Sequence, residues 1–458
     1  MFKNINCKNL PSLRRNIVYQ FLYELLIVFI PLFTIPYVSR VLGAENIGLF
    51  SYTYAVANYF VLFANLGIKN YGSRTIAMVR NNKEELNRNF SEILSIHIIF
   101  SIIVIFVYLV LLFFFVEDNL VIFLIQSIYV FAAVFDINWF FFGIEKFKLT
   151  VGRNTLVKIL SVFLVLVFVK TQTDLWIYAL ILALSVFVGQ SVVWFALKQY
   201  VSWRRPSWAN MKQHIRPLFV LFLPILALSL YKYMDKIMLG SISSNVQVGF
   251  YENAEKIINV PMSLIMAFGV VLMPRIANMV TSKDKGEVFK LIDMSMEAVM
   301  LLAIAISFGL AGISFVLAPI FFGYEFEECG ILIMGLAVTV PFMAFANVIR
   351  TQYLIPYKED KIFVVSLFLG AAVNLIVNII LIPYMAARGA VIGTIFAEII
   401  VCIYQSYFVR KKIFIKKYLL NTIPPILIGI VMFVFVFQIG NVMNINIVTL
   451  ILQLLVGM

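Results

Sequence analysis

The sequence predicts an all-α polytopic membrane protein with about 14 transmembrane helices, two halves of six and two more at the end. Three observations carry this. Hydrophobic residues make up 62% of the chain and charged residues 13%, against about 45–50% and 25% in an average soluble domain. Apolar runs of roughly 17 to 27 residues recur along all 458 residues, each long enough to cross about 30 Å of hydrocarbon as a helix. Lysine and arginine crowd into alternate connectors, as they do when positive charge stays on the cytoplasmic side.

Taken in order, the expected spans are 16–38, 47–67, 90–115, 119–141, 151–169, 175–197, 215–239, 249–273, 291–316, 330–351, 362–384, 389–408, 419–438 and 442–458. The first follows Lys3, Lys8, Arg14 and Arg15 as a signal peptide would, but it is long, carries Glu24 and lacks a small-residue cleavage site. The last has only 17 residues, about 26 Å at 1.5 Å per residue, so a truncated final helix is expected. With the N-terminus placed in the cytoplasm, the inner segments hold 29 of the 36 basic residues, and the outer ones hold only Arg40, Lys170 and Arg388. The outer connectors are short, and two are acidic: Glu117-Asp118, and Glu325 with Glu327 and Glu328. They leave no room for an external domain.

The most polar connector contains Trp203-Arg204-Arg205-Pro206-Ser207-Trp208 and divides the first twelve helices into six and six. The expected organisation is 1–197, a cytoplasmic linker 198–214, 215–408, and a terminal pair 409–458. An even number of helices per half gives parallel repeats. Helix 1 carries Pro31 and Pro36, and helix 7 carries Pro217 and Pro224. Proline-interrupted helices at matching places point to a central cavity between the halves.

Charges inside spans are costly, at least about 2.5–3.5 kcal/mol each, and need a partner or water. Lys232, Asp235 and Lys236 share one face of helix 7, and Glu252, Glu255 and Lys256 one face of helix 8. Together with Arg40 they are expected to line a water-filled, net cationic cleft in the outer half of the membrane. Lys158 lies near the middle of helix 5 and reads as a cavity cation that attracts phosphate. Glu24, Asp136, Glu297 and Glu398 are isolated acids; with Asp235 and Glu252 they are candidates for a coupling proton or Na⁺.

Other chemistries lack their residues. His97 and His214 are the only histidines, so no metal site or histidine-based triad is expected. Cys7, Cys329 and Cys402 are too scattered for a thiolate site or disulfide. There is no nucleotide-binding lysine motif. The net charge of +13 reads as loop charge that orients the protein, not as a nucleic-acid surface.

Several stretches resemble the Wzx-type polysaccharide repeat-unit flippases: Pro31-Leu-Phe-Thr-Ile-Pro-Tyr-Val-Ser-Arg-Val-Leu-Gly43, Gly48-Leu-Phe-Ser-Tyr, and Leu66-Gly-Ile-Lys-Asn-Tyr-Gly72. In the second half these are joined by Asp235-Lys-Ile-Met-Leu-Gly240, Gly249-Phe-Tyr-Glu-Asn-Ala254, Gly370-Ala-Ala-Val-Asn374, Asn378-Ile-Ile-Leu-Ile-Pro383 and Gly389-Ala-Val-Ile-Gly393-Thr. The resemblance implies membership of the superfamily that includes MATE drug exporters and MurJ-like lipid II flippases, with two six-helix bundles around a central cavity. It also implies a function: moving undecaprenyl-diphosphate-linked oligosaccharides across the bacterial plasma membrane, with membrane lipid and the pathway's polymerase and chain-length proteins as partners. The cationic residues Lys158, Lys232, Lys236, Lys256 and Arg40 would then meet the diphosphate, and Asn374 and Asn378 the sugars. A MATE-like cation-coupled exporter would favour an acidic cavity instead. A membrane polymerase would need clustered catalytic residues or a sizeable outer loop, and the chain is read as a carrier, not an enzyme.

Overall fold

The computed structural model describes the backbone of residues 10–281 and 285–457, with side chains for 30, 32–146, 149–230, 232–280 and 286–457. Cys7 and the side chain of Glu24 lie outside the described residues. No strand occurs among them, as a lipid solvent demands: with no water to satisfy free backbone groups, each segment must satisfy its own.

The first helix, α1 (Leu10–Asn65), has 56 residues, far more than one crossing needs. It is divided at Gly43, whose φ of 76° and ψ of 172° are not helical. Such angles are open to glycine and costly for a residue with a Cβ. The two halves of α1 are the first two expected spans. α2 (Ile68–Val79), α3 (Lys83–Phe115), α4 (Leu120–Val134), α5 (Asn138–Gly143), α6 (Phe147–Phe168) and α7 (Leu175–Leu197) follow. Then come α8 (Trp208–Ile242), α9 (Asn245–Thr281), α10 (Lys285–Phe322), α11 (Cys329–Ala337) and α12 (Thr339–Ile349). α13 (Asp360–Met385), α14 (Ala387–Val409), α15 (Ile415–Val442) and α16 (Ile447–Gly457) complete the order.

Among the described residues, 12 helical stretches are long and apolar enough to cross a membrane, the first of them running through the Gly43 break. The protein is thus a polytopic, all-helical membrane protein. α16 has 11 residues and reaches only about 16 Å.

Three local expectations are corrected. The prolines do not interrupt their helices: α8 runs through Pro217 and Pro224, and the break in α1 falls at Gly43, not Pro36. Membrane helices tolerate such prolines where the carbonyl freed by the missing N–H finds another donor. The connector before the seventh span is helical from Trp208 onward, so its polar residues extend a membrane helix. The fourth span parts into α4 and α5 around Phe135–Ile137, where the Asp136 carboxylate accepts from the Asn138 backbone N–H at 3.1 Å and side chain at 2.7 Å. That is a local Asx-turn, in which a short acidic side chain accepts from the backbone two residues on.

The helices gather into two compact units. The first comprises the chain up to Leu42 and Thr53–Leu226. Within it α2 packs on α3 and α5, α4 on α3 and α7, and α6 on α7. Its core is aromatic: the Phe90 ring centroid lies 5.6 Å from that of Trp139 and 4.9 Å from that of Phe140. The second unit comprises Gly43–Tyr52 and the chain from Ala227 onward. There α13 pairs with α14, and α10 packs on α11, α12, α15 and α16. The last two helices are therefore part of this unit. Lys417 and Asn421 of α15 fasten to Asp293 and Glu297 of α10 at 2.8 and 2.9 Å.

Lipid is as apolar as leucine, so helix association rests on close packing and on hydrogen bonds between helices, each averaging about 0.6 kcal/mol. Tyr108 donates to the Phe123 carbonyl at 3.0 Å, Ser307 to the Ala337 carbonyl at 2.7 Å and Gln405 to Ser366 at 2.9 Å.

Candidate functional site

The second unit holds a buried carboxylate that forms no ion pair among the described residues. Asp235 sits on α8, seven residues before that helix ends at Ile242, about 10 Å along the axis. It is buried. Its Oδ2 accepts from the Tyr251 hydroxyl of α9 at 2.6 Å and the Thr394 hydroxyl of α14 at 3.0 Å, and its Oδ1 accepts from the Asn378 amide of α13 at 2.6 Å. Four helices meet on one charge.

The hydrogen count around it is tight. Thr394 has one hydroxyl proton, yet its oxygen lies 3.0 Å from both Asp235 and the Ala390 carbonyl. The second amide proton of Asn378 goes to Asn374 Oδ1 at 3.2 Å. Asn378 Oδ1 is buried and has no partner among the described residues. An orphaned buried acceptor calls for an explanation. The ring offers one carboxylate, two carboxamide oxygens, two hydroxyls and a backbone carbonyl, all hard oxygen donors with one negative charge in total. That set suits a small hard monovalent cation or a proton, and is unsuited to soft metals.

The sequence explains why these groups converge. Asn374 and Asn378 stand one turn apart on α13 and so share a face. Opposite them is Gly393, where a Cβ would come within 2.1 Å of Asn378 Oδ1. The glycine lets α14 bring Thr394 up to Asp235. Gly393→Ala is accordingly expected to cost about 1–3 kcal/mol by overpacking, read as a lower melting temperature of the purified protein.

Next to Asp235, Lys236 is buried and lies between two acids of α9, 2.5 Å from Glu252 and 2.8 Å from Glu255. Lys256 pairs with Glu252 at 3.1 Å, one turn along the same helix. Two lysines thus face two glutamates, and the cluster is neutral where a net cationic cleft was expected. The spacing puts each triplet on one face of its own helix; the fold turns the Lys236 side of α8 toward the acids of α9.

The other expected residues divide between the two units. Lys232 is exposed and does not pair with Asp235; its ammonium lies 5.5 Å from the Tyr233 ring centroid. Asn374 and Asn378 are buried around Asp235 and are not presented to a sugar. Arg40 is exposed in the first unit. Lys158, also in the first unit, is half-buried on α6 with no ion pair or hydrogen bond to its ammonium among the described residues. Glu398 is buried on α14.

Tyr251, Gly393 and Thr394 were not singled out beforehand, although all three lie in the stretches that carried the resemblance. In the first unit His214 and Glu92 were also missed: His214 Nε2 is 2.8 Å from Glu92 Oε2, and the Tyr71 hydroxyl is 2.6 Å from Nδ1. These pairs bridge more than a hundred residues of chain, and periodicity within one helix carries no trace of them.

The family model for "Polysaccharide biosynthesis protein" matches residues 13–280. A "Putative O-antigen transporter" from Shigella dysenteriae is 24% identical over 408 residues, 86% of this chain and 99% of that protein. Among solved structures, the fold is similar to "Lipid II flippase MurJ, inward closed conformation", with a TM-score of 0.77 at 15% identity over 96% of each chain. A multidrug resistance MATE family transporter of the MOP superfamily, inward-facing, gives a TM-score of 0.65 at 14% identity over 85% of this chain and 97% of the other. At such identities these two likenesses are of fold alone.

Proposed function

This chain belongs to the polysaccharide biosynthesis protein family, and we propose that it moves undecaprenyl-diphosphate-linked oligosaccharide repeat units across the bacterial plasma membrane for surface polysaccharide assembly. The carrier works by alternating access, with its N-terminus in the cytoplasm, and a small monovalent cation held at Asp235 resets it. The similarity to a "Putative O-antigen transporter" over 86% of this chain and 99% of that protein supports the substrate class. The single observation that carries the mechanism is Asp235 itself: a buried carboxylate with no ion pair among the described residues, ringed by oxygen groups on α9, α13 and α14.

A lipid-linked substrate divides the physical task. Its tail can remain in hydrocarbon while only the charged, sugar-bearing head must cross. For that head we assign Lys158, because a lysine without a carboxylate in a membrane helix is retained at a cost of at least about 2.5–3.5 kcal/mol. A passing diphosphate offsets that cost. Asp235 supplies the opposite requirement: its charge is neutralised when the cation binds, so helices α8, α9, α13 and α14 can share one arrangement with the cation and another without it.

The test is repeat-unit translocation in cells that depend on this protein. Lys158→Ala is expected to lower the rate by about tenfold, the ~1.4 kcal/mol that one lost charge-assisted contact represents, and Lys158→Arg to retain more activity than alanine. Full activity of Lys158→Ala at normal protein levels would remove Lys158 from the substrate path.

A further inference from the structure

The first unit contains a cleft that the proposed mechanism does not use. It measures about 560 Å³ and opens between α2, the start of α3 and the start of α8, within the range of about 300–1,000 Å³ typical of ligand sites. Arg74 and Arg88 line it together with Asn89 and Gln213, while Met78 and Val220 form an apolar wall. All three elements begin or end in the basic connectors, on the side that the charge asymmetry reads as cytoplasmic.

The charges in this region are unevenly compensated. Arg80 is neutralised by Glu145 at 2.5 Å, and Arg204 by Glu84 at 3.2 Å. Arg74 and Arg88, both exposed, have no acidic partner among the described residues. Two guanidinium groups left uncompensated in one concavity make a local positive field suited to an anion with several oxygens, since the planar fork matches phosphate bidentately. The floor is rigid: His214 is buried and held between Tyr71 and Glu92. Met78 and Val220 are 69% and 58% exposed, a combination of bare apolar wall and bare cations that fits an amphiphile better than a free ion.

We propose that this cleft is the cytoplasmic capture site for the phosphorylated head of the lipid-linked substrate, with Arg74 and Arg88 as its ligands and Met78 and Val220 against the first part of the lipid chain. The inference rests on the flippase reading but concerns a step before translocation, on residues separate from Asp235 and Lys158.

The experiment uses the full chain in nanodiscs with undecaprenyl diphosphate as probe. The wild type is expected to bind it, and the R74Q/R88Q variant to bind at least tenfold more weakly while melting at the wild-type temperature. Excess inorganic diphosphate should displace the lipid, and phosphatidylglycerol at the same concentration should not. Should the double variant fail to accumulate, R74Q and R88Q singly are each expected to weaken binding at least threefold. Undiminished binding by a folded variant would overturn the capture site and leave the flippase reading intact. Displacement by phosphatidylglycerol as effective as by diphosphate would overturn it too, making the cleft a general anionic-lipid surface. Absence of binding to the wild type would overturn the flippase reading along with it.

Discussion

Replacing Asp235 by asparagine is expected to lower repeat-unit translocation by about 100-fold or more, equivalent to roughly 2.7 kcal/mol, without reducing the amount of folded protein. The substitution is nearly isosteric, so packing among α8, α9, α13 and α14 is kept. What changes is charge and hydrogen-bond polarity. A carboxylate accepts from Tyr251, Thr394 and Asn378 at once, whereas a carboxamide presents one oxygen and turns an N–H₂ toward groups that are themselves donors. Stability is expected to change little, because an unpaired buried charge is itself unfavourable. A cation that binds only the folded state raises its stability by about 2.7 kcal/mol at 100 times its dissociation constant. Na⁺ should therefore raise the melting temperature of the wild type and not of Asp235→Asn. Identical Na⁺ responses in the two proteins would take the cation away from Asp235.

Lys236→Met is expected to act through stability. Among the described residues Lys236 pairs with both Glu252 and Glu255, whereas Lys256 reaches Glu252 alone. Its removal leaves Glu255 unpaired and weakens the compensation of Glu252 in a low-dielectric interior. Breaking a buried pair on one side costs about 3–5 kcal/mol, enough to deplete most of the folded protein. Removing one opposing charge as well restores balance: Lys236→Met with Glu255→Gln leaves the neutral Lys256–Glu252 pair and should recover most of the melting temperature. If Lys236→Met alone melts like the wild type, the three charges do not stabilise the fold as their geometry requires.

Much of the architecture was legible because lipid imposes simple rules. A run of apolar residues must be a helix, and a run of loops must alternate in basic charge. These rules located the spans and the division at Arg40–Gly43, where the structure has its break at Gly43. They could not tell which proline would bend a helix, since that depends on what neighbours offer the freed carbonyl; Pro217 and Pro224 lie in an unbroken α8. The site was half legible. Asp235, Asn374 and Asn378 stood out as polar residues in apolar runs, but their meeting is set by how α13 packs against α8. By residue type alone the asparagines suit sugars; the fold gives Asn378 to a carboxylate and Asn374 to Asn378. Tyr251 was hidden because a tyrosine in a membrane helix is ordinary, and Arg74 and Arg88 because basic residues in an inner connector are expected there anyway. Their significance comes from which acids lie near, and the fold alone determines that.

The central claim is that a cation at Asp235 drives head-group movement. It is tested most directly in proteoliposomes carrying the purified protein and an undecaprenyl-diphosphate-linked oligosaccharide, by measuring how fast the head group becomes accessible to an external glycan-cleaving enzyme under an imposed Na⁺ or proton gradient. The account predicts that one of the two gradients accelerates exposure with the wild type and that neither does so with Asp235→Asn. Equal acceleration in the two proteins, or exposure by the wild type that is indifferent to both gradients, would contradict it.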